Sequence, residues 1–439
     1  MNAAKRLAVM LALLALAGLP MVLTASLLNA ANQMLIAALF AMAFNLLCGQ
    51  AGLLSFGHAA YFGIGAFAAV HAMQALGGNG LLPTPLLPLA GAVAGGSTGL
   101  AAGWFSTKRS GLYFSMITLA LAELLHALAP QLKGLFGGEA GLSTMRQPAF
   151  GLSFGSTLHV YYLTLAWVLL SVWLLYLLTR TPVGRVQNGL RENPHRLRFL
   201  GYDVHRQSVF VFAVSATFAG IAGALQAIGN ESASYTLFEL GLSADVVLNA
   251  YIGGVGIFLG PAIGAALMTF LGHALSDLTR AWLLYQGVLF VLVMMFFPGG
   301  LGGLARLAAD RRLQRAGPVV LVSSLAAALL SGAALVLTVE LVQRIASQEY
   351  QALRTPGAAW PAVPFLGVRW LPGAATTWSV PLLLAGAGAW AGRLARRHWR
   401  RREADAREAD AHEADTREAA PDDAAPADAV LLSLRQERP

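Results

Sequence analysis

Apolar runs long enough to cross a lipid bilayer recur along this chain and restrict its fold more than any single motif does. A helix needs about 20 mostly apolar residues to span the hydrocarbon core, and the 439 residues provide such runs repeatedly. Hydrophobic residues make up 56% of the chain and charged residues only 12%, with a mean hydropathy of +0.61. A soluble globular domain does not have this composition. The sequence therefore predicts an all-α polytopic membrane protein.

About twelve crossings follow from the lengths of these runs. About ten fall in a transmembrane core, residues 1–305, and two in an extension, residues 306–400. The predicted spans lie near residues 7–28, 31–48, 57–76, 84–106, 111–130, 159–179, 207–228, 243–258, 260–277, 282–298, 318–340 and 376–394. Residues 401–439 form a low-complexity tail with a READA-type repeat, which has no apolar face and is expected to be disordered or weakly helical; a protein-docking role is the alternative.

Basic residues gather on alternate loops, and this pattern gives the orientation. Each crossing changes side, and cytosolic loops carry the excess of Lys and Arg. The clusters on one side are Lys5 with Arg6, Lys108 with Arg109, the stretch 180–206, the group Arg306, Arg311, Arg312 and Arg315, and the stretch 393–402. Both termini are therefore expected in the cytosol, and the net charge of +8 reflects orientation rather than a nucleic-acid surface. Lys5-Arg6 before an apolar run also fits a signal peptide, but the run extends past the usual length of one, which favours an uncleaved helix.

The sequence contains no catalytic constellation. It has no phosphate-binding loop of the Gly-x-x-x-x-Gly-Lys-Ser/Thr type, no Cys/His cluster with metal spacing and no Ser/His/Asp arrangement. We therefore predict a chain that is not an enzyme, binds no metal and does not hydrolyse ATP itself. Its single cysteine, Cys48, lies in an apolar stretch, which favours a small core residue over a reactive thiol.

Glycines interrupt three of the apolar segments. The clearest case is Asn45–Phe67, and the others are Arg109–Ser115 and Asn249–Pro261. Irregular backbone at membrane depth is tolerated where it lines a cavity or is buried in protein. Two interpretations therefore stay open. The segment lines a water-accessible path that Gln50, Ser55 and His58 face, or its small residues allow close helix packing. Glu123 and His126, one turn apart in a span, likewise form either a functional pair or a satisfied interior pair.

A basic, polar stretch, Thr179–Arg206, separates two long apolar runs on the predicted cytosolic side. A short amphipathic helix bearing Arg185, Arg191, Arg196 and Arg198 can dock in a soluble partner, with Pro182 before it and Gly201 after it. The alternative is an anchor to anionic lipid headgroups.

Four motifs, in order, carry a resemblance to a known family. They are NLLCGQAGLLSFGHAAYFGIGAF, GLYFSMITLALAEL, the TPVGR to LRENPHRLRFLGYDVHR stretch, and YIGGVGIFLGPAIGA followed by FFPGGLGGL. Over about residues 31–304 the chain resembles the LivM-type permease subunit of branched-chain amino acid ABC importers. The resemblance implies a bacterial inner-membrane permease. Its implied partners are a second, LivH-like permease subunit, two ABC ATPase subunits and a periplasmic solute-binding protein. It implies no cofactor on this chain, with ATP and magnesium in the partner subunits.

The resemblance also implies roles for particular residues. The polar stretch becomes a coupling helix near residues 184–201, which an ATPase subunit grips; the candidate coupling residues are Arg185, Arg191, Glu192, Asn193, Gly201 and Tyr202. The candidate translocation-path residues come from the interrupted segments and from ionisable residues in the spans. They are Asn45, Gln50, Gly52, Ser55, Gly57, His58, Tyr61, Tyr113, Thr118, Glu123, Asp245, Gly253, Gly254, Gly256 and Pro261.

The chain departs from the family pattern at two places. Asn188-Gly189 and Pro194 lie where helix formers are more usual, which predicts a shortened or kinked coupling helix. The family also stops soon after the FFPGGLGG segment, so the extension has no assigned role. Branched-chain amino acids are the expected cargo; urea, amides or aromatic acids in the same family, an ion-coupled secondary carrier, and a scaffold or sensor are the alternatives.

Overall fold

The computed structural model describes residues 3–76, 82–151, 153–296, 299–303, 318–353, 360–365 and 368–418, and its regular structure there is almost entirely helical. The all-α polytopic prediction is confirmed. The chain divides into two compact units, Met1–Ala305 and Arg306–Pro439. The basic residues expected at 306–315 and most of the terminal tail lie outside the described residues.

The first unit contains thirteen α-helices among its described residues: α1 Ala3–Gly18, α2 Ala25–Asn45, α3 Ala59–Leu76, α4 Pro88–Ser106, α5 Leu112–Leu128, α6 Lys133–Phe136, α7 Thr157–Arg180, α8 Pro182–Glu192, α9 Pro194–Phe199, α10 Val204–Asn230, α11 Leu240–Gly253, α12 Gly260–Leu278 and α13 Trp282–Phe296. Short 3-10 turns occupy Leu19–Met21, Thr84–Leu86, Gly138–Ala140, Tyr235–Phe238 and Leu301–Gly303. A two-residue antiparallel ladder joins β1, Leu142–Ser143, to β2, Ser232–Ala233.

Among the described residues, five helical segments are long and apolar enough to cross a membrane: Ala25–Gln50, Thr84–Ser106, Thr157–Arg180, Val204–Asn230 and Val322–Ala346. The helical segments Leu112–Leu128 and Lys133–Ala140 are bent by 94° relative to each other, and they provide a sixth candidate span if they form one broken crossing. The chain is therefore a multi-pass protein, and the count of twelve stays a prediction. The first predicted boundary, near residues 28–31, is wrong: α1 ends at Gly18, and Pro20 in the following 3-10 turn cannot continue it because proline lacks the amide donor.

Helix α10 lies at the centre of the first unit, where it packs against α2, α3 and α4. Small residues make these contacts close. A Cβ atom on Gly220 would collide with the carbonyl oxygen of Gly91, and one on Gly65 would collide with the carbonyl oxygen of Gly220. Lipid tails are as apolar as the helix faces, so van der Waals contact between closely approaching backbones holds such helices together.

The second unit is a helical hairpin. It contains α14 Pro318–Ala346, α15 Gln348–Ala352, the strands β3 Val363–Phe365 and β4 Val368–Trp370, which pair antiparallel, and α16 Ala375–Glu418. Helices α14 and α16 approach closely where Gly388 meets Ser331, because a Cβ atom at Gly388 would collide with the Ser331 side chain.

Helix α16 extends into the terminal tail, which the sequence predicted to be disordered or weakly helical. The 44-residue helix continues through residues 401–418, and at about 1.5 Å per residue it is too long for a single crossing of about 30 Å. The READA repeats are rich in Ala, Glu and Arg, which favour helix. Since these residues extend a helix that already exists, no new helix nucleus is needed.

The loop after α6 is tied to the end of α10 by an ion pair. The backbone N–H and Nε of Arg146 both donate to Oε1 of Glu231, at 3.1 and 2.8 Å, and the Thr144 N–H donates to the Glu231 carbonyl at 3.0 Å. The backbone hydrogen bond from Arg146, followed by the contribution of its guanidinium, lowers the pKa of Glu231 below its usual value.

This ion pair predicts a pH dependence. A lowered pKa in the folded state contributes stability above the unfolded pKa, and this contribution is lost as pH falls through the folded pKa. Because the pair is partly exposed, we expect a loss of about 1 kcal/mol or less on acidification. Hydrogen exchange at the Thr144 amide should quicken as the pH falls from neutral to below the lowered folded pKa of Glu231, after correction for intrinsic exchange rates. Glu231→Gln should remove this change, and an equal change in that variant would contradict the assignment.

Candidate translocation path and coupling segment

A polar groove runs along α11 and α12. Two adjoining cavities of about 220 and 300 Å³ share Asp245, Asn249 and Thr269. Asp245 and Asn249 lie four residues apart on α11, so they share one face of that helix, and Thr269 and His273 do the same on α12. The further polar side chains that line the two cavities are Gln33, Gln226, Ser276 and Gln286. Together these side chains give the groove a hydrogen-bonding wall inside an otherwise apolar bundle.

Asp245 is the only acidic residue, and His273 the only other titratable residue, among those lining the two cavities; no Lys or Arg lines them. An ionisable residue in a membrane segment marks a functional site by default. The groove can therefore accept hydrogen bonds and an ammonium group. The sequence prediction included Asp245 but missed Asn249, Thr269, His273 and Gln286, although polar residues at i and i+4 in apolar helices were the available signal.

Five of the predicted path residues lie in the protein interior instead of in this groove: Asn45, Ser55, His58, Tyr61 and Thr118 are each at most 3% exposed. His58 Nε2 lies 3.1 Å from Ser215 Oγ, which in turn donates to the Ala43 carbonyl at 2.5 Å. The rings of Phe40 and Phe44 also contact the imidazole. The structure thus favours an interior packing role for His58 over a water-accessible one.

The interruption expected after Asn45 is present. Helix α2 ends at Asn45, a π-helical turn spans Leu46–Gln50, and α3 begins at Ala59. The backbone in between is satisfied by α5: the Ser115 hydroxyl donates to the Leu54 carbonyl at 2.6 Å, and the Phe56 N–H donates to Thr118 Oγ1 at 3.3 Å. Irregular backbone at membrane depth needs such partners. Gly57 approaches the Thr118 carbonyl so closely that a Cβ atom would collide with it, so packing governs this segment. Gln50, at the end of the π-helical turn, is half-buried.

A second interruption separates α11 from α12. The span predicted to end near residue 258 ends at Gly253, and Pro261 starts α12 with a fixed φ and no amide donor. Gly254 adopts φ +99°, and a Cβ atom there would collide with the carbonyl oxygen of Gly299. Gly256, in contrast, has open space around it.

The remaining path candidates lie on the outer surface of α5. Tyr113 is 71% exposed and Glu123 is also exposed. His126 does not pair with Glu123; its Nδ1 lies 3.4 Å from the Tyr235 carbonyl oxygen and its ring contacts the Tyr235 ring. The proposed Glu123 and His126 pair is therefore wrong, because His126 faces the 3-10 turn instead.

The polar stretch folds as two short helices, α8 and α9. We call residues 182–202 the coupling segment, after the role that the resemblance implies for them. The kink expected from Pro194 is confirmed: Asn193, at φ −158°, ends α8, and its Oδ1 accepts from the Arg196 N–H at 3.1 Å to cap α9. Asn188 and Gly189 remain helical within α8. After α9 the chain turns at Gly201, which has φ +85°, and the Tyr202 N–H donates to the Leu197 carbonyl at 3.0 Å.

One face of the coupling segment packs against the membrane helices and is hydrogen-bonded to them. Arg191 Nη1 donates to the Gly49 carbonyl at 2.6 Å, and the Arg191 side chain passes beside Gly52, which has φ +73°. Leu190 and Leu197 are buried. Arg191 thus links the segment directly to the π-helical turn at the end of α2.

The other face of the coupling segment is open. Phe199 is 91% and Leu200 65% exposed. The exposed polar and charged residues beside them include Arg185, Glu192, Asn193, Arg196 and Arg198. Exposed aromatic and Arg side chains together are typical of protein interfaces.

The model of one protein family, described as branched-chain amino acid transport system / permease component, matches residues 26–298. The chain belongs to this family. The resemblance to LivM-type permeases is therefore confirmed. The matched part of this permease contains the polar groove, both interruptions and the coupling segment, and it ends before the helical hairpin of α14 and α16.

Individual relatives agree with the family match. The permease is 28% identical over 308 residues to the high-affinity branched-chain amino acid transport system permease protein LivM of Escherichia coli K12. This alignment covers 64% of the present chain and 71% of the relative. It is 24% identical over 253 residues to the probable branched-chain amino acid transport permease protein LivH of Methanocaldococcus jannaschii, covering 55% and 79%. It is also 33% identical over 134 residues to the ribose import permease protein RbsC of Haemophilus influenzae, covering 29% and 42%. No solved structure matches the chain.

Proposed function

We propose that this permease is the membrane-spanning subunit of an ATP-binding cassette importer that carries branched-chain amino acids, or a related small polar solute, into the cell. The observation that carries the proposal is the family match over residues 26–298, which contains the whole polar groove. The groove on α11 and α12 is the proposed path, with Asp245 and Asn249 at its centre.

The energy for transport comes, in this proposal, from separate subunits. Two ATPase subunits bind ATP and magnesium, and one of them docks on the exposed face of the coupling segment around Phe199. A second, LivH-like permease subunit completes the path, and a periplasmic solute-binding protein delivers the solute. The permease lies in the inner membrane with both termini in the cytosol, as the distribution of Lys and Arg predicts.

The mechanism that these contacts support is alternating access. Closure of the ATPases moves the coupling segment, and the hydrogen bond from Arg191 to the Gly49 carbonyl transmits that movement to the break between α2 and α3. The interior contacts of α10 are close and leave little freedom for continuous deformation, so the bundle shifts between discrete arrangements.

The decisive experiment is uptake of radiolabelled leucine into vesicles that contain the complete complex, with and without ATP. We expect uptake that requires ATP, and we expect Asp245→Leu to reduce it about tenfold, because the groove then loses its one carboxylate. Asp277→Asn, which removes an exposed carboxylate elsewhere on α12, is the matched control and should retain uptake.

Two outcomes would count against the proposal. Uphill leucine uptake by the permease alone, driven by a proton gradient, would favour an ion-coupled secondary carrier. Full uptake by Asp245→Leu would remove the groove from the path. If urea, an amide or an aromatic acid is carried in place of leucine, the transport class stands and the cargo changes.

A further inference from the structure

A cavity of about 420 Å³ lies where the coupling segment meets the membrane helices. Four parts of the chain form its walls: residues 51–53 after the π-helical turn, residues 107–110 between α4 and α5, residues 190–198 of α8 and α9, and residues 204–208 at the start of α10. The basic turn at Lys108 and the basic coupling segment, which the sequence assigned to the same side of the membrane, thus face one cavity.

The lining of this cavity has one sign of charge. Five of its thirteen lining residues are basic or imidazole side chains, and none is Asp or Glu; the five are Lys108, Arg109, His195, Arg198 and His205. Ser110 adds a hydroxyl group to the lining, whereas the hydroxyl groups of Thr107 and Ser208 already donate to the carbonyl oxygens of Gly103 and Val204. A concave site lined by one sign of charge concentrates the electrostatic potential and attracts the opposite ion.

Nearby acidic side chains do not neutralise this lining. Asp203 is engaged with Arg206, its Oδ2 lying 3.2 Å from Arg206 Nε, and Asp203 also caps α10 through the Arg206 N–H. Glu192 is exposed and is not part of the lining. The positive charges that separate elements bring to this cavity are therefore not compensated by acidic lining residues, and they favour an anionic ligand.

The His205 ring lines the cavity and is held in one orientation by its neighbours. The Thr107 hydroxyl donates to the Gly103 carbonyl at 2.7 Å and therefore accepts from His205 Nδ1, 3.1 Å away. The imidazole also packs against the Trp104 ring, with the centroids 4.8 Å apart. Its Nε2 is buried and has no hydrogen-bond partner, so the orientation of the ring comes from its other contacts.

We propose that this cavity binds a phosphate-bearing anion, either the headgroup of an anionic phospholipid or a free phosphate compound. Arg matches two phosphate oxygens at once and Lys adds a compact charge, and both kinds of donor are present here from different elements. Because Lys108 and Arg109 precede α5 while His195 and Arg198 belong to α9, the bound anion bridges the coupling segment and the membrane helices. Its occupancy then sets how firmly the segment is held.

The test measures binding, which does not depend on transport. The full-length permease is placed in nanodiscs of phosphatidylcholine with phosphatidylglycerol, released by collision in a mass spectrometer, and scored for retained phosphatidylglycerol. Inorganic phosphate is tested separately by titration in phosphatidylcholine nanodiscs. The variants are Lys108→Gln combined with Arg109→Gln, and Arg180→Gln, which removes an exposed cation at the end of α7 that is not in the lining.

We expect the wild type to retain one phosphatidylglycerol, and the double variant to bind it at least tenfold more weakly, since each cation near an anionic headgroup contributes about fivefold. Arg180→Gln should bind as the wild type does. Saturable binding of inorganic phosphate, lost in the double variant, together with no retained lipid, would identify the free anion as the ligand. Equal binding by all three proteins, or binding of neither probe by the wild type, would overturn the proposal; an unchanged melting temperature shows that the double variant is folded.

Discussion

Gly254→Val should prevent accumulation of the folded permease. At φ +99° a β-branched residue is strained, and its Cβ atom would also collide with the carbonyl oxygen of Gly299. Backbone atoms cannot yield as a flexible side chain can, so the two effects together should cost more than about 3 kcal/mol. That is a large fraction of the stability of a typical domain. Size-exclusion chromatography of detergent-solubilised protein should show little monodisperse material.

The neighbouring Gly256 provides the control for this substitution. It lies in the same loop, is exposed, and has nothing within 4 Å of an added Cβ atom. Gly256→Val should therefore accumulate and elute as the wild type does. Equal yields of the two variants would mean that the contact between Gly254 and Gly299 does not hold α11 and α12 in place.

The spans of the first unit could largely be predicted from the sequence because their signal is local. Apolar length predicted α7 and α10 within a few residues, and the glycines and proline around Gly253 predicted the break before α12. The start of α2 at Ala25 was missed because the apolar run continues across the turn at Pro20. Composition hides such a boundary, and only the proline marks it.

The candidate path was harder to predict because it depends on which side chains face each other. His58 and Asp245 are both polar residues in apolar surroundings, yet Ser215 and two Phe rings bury the first, while the second faces open space. That difference is set by the packing of α10 and α12, which are distant in sequence from residue 58. Asn249 and Thr269 were overlooked although each has a polar neighbour four residues away, because that spacing shows a shared helix face and not that α11 and α12 lie side by side.

The hairpin of α14 and α16 illustrates a different limit. Its helices could be predicted from apolar length, and its close approach at Gly388 and Ser331 fits the packing of small residues. The family match ends before the hairpin begins, so this match does not inform the hairpin's role. Deleting it is a poor test of the groove and the coupling segment, because all of their contacts described above lie within the first unit.

Arg191→Ala should separate ATP hydrolysis from transport. Its guanidinium joins α8 to the π-helical turn by donating to the Gly49 carbonyl at 2.6 Å. Hydrogen bonds to charged groups contribute about 1.5–3 kcal/mol to stability. Without this bond the coupling segment can move in an ATPase cleft while the break between α2 and α3 stays in place. In the reconstituted complex we expect leucine uptake per ATP hydrolysed to fall about tenfold, with hydrolysis maintained.

The matched control for this prediction is Arg180→Ala. Arg180 lies one residue before Thr181 at the end of α7, and its side chain contacts Tyr176 on its own helix instead of the π-helical turn. Its loss should leave the ratio of uptake to hydrolysis unchanged. If Arg191→Ala also leaves the ratio unchanged, the movement must reach the membrane helices by another contact, and the buried Leu190 and Leu197 of the coupling segment would be the next positions to change.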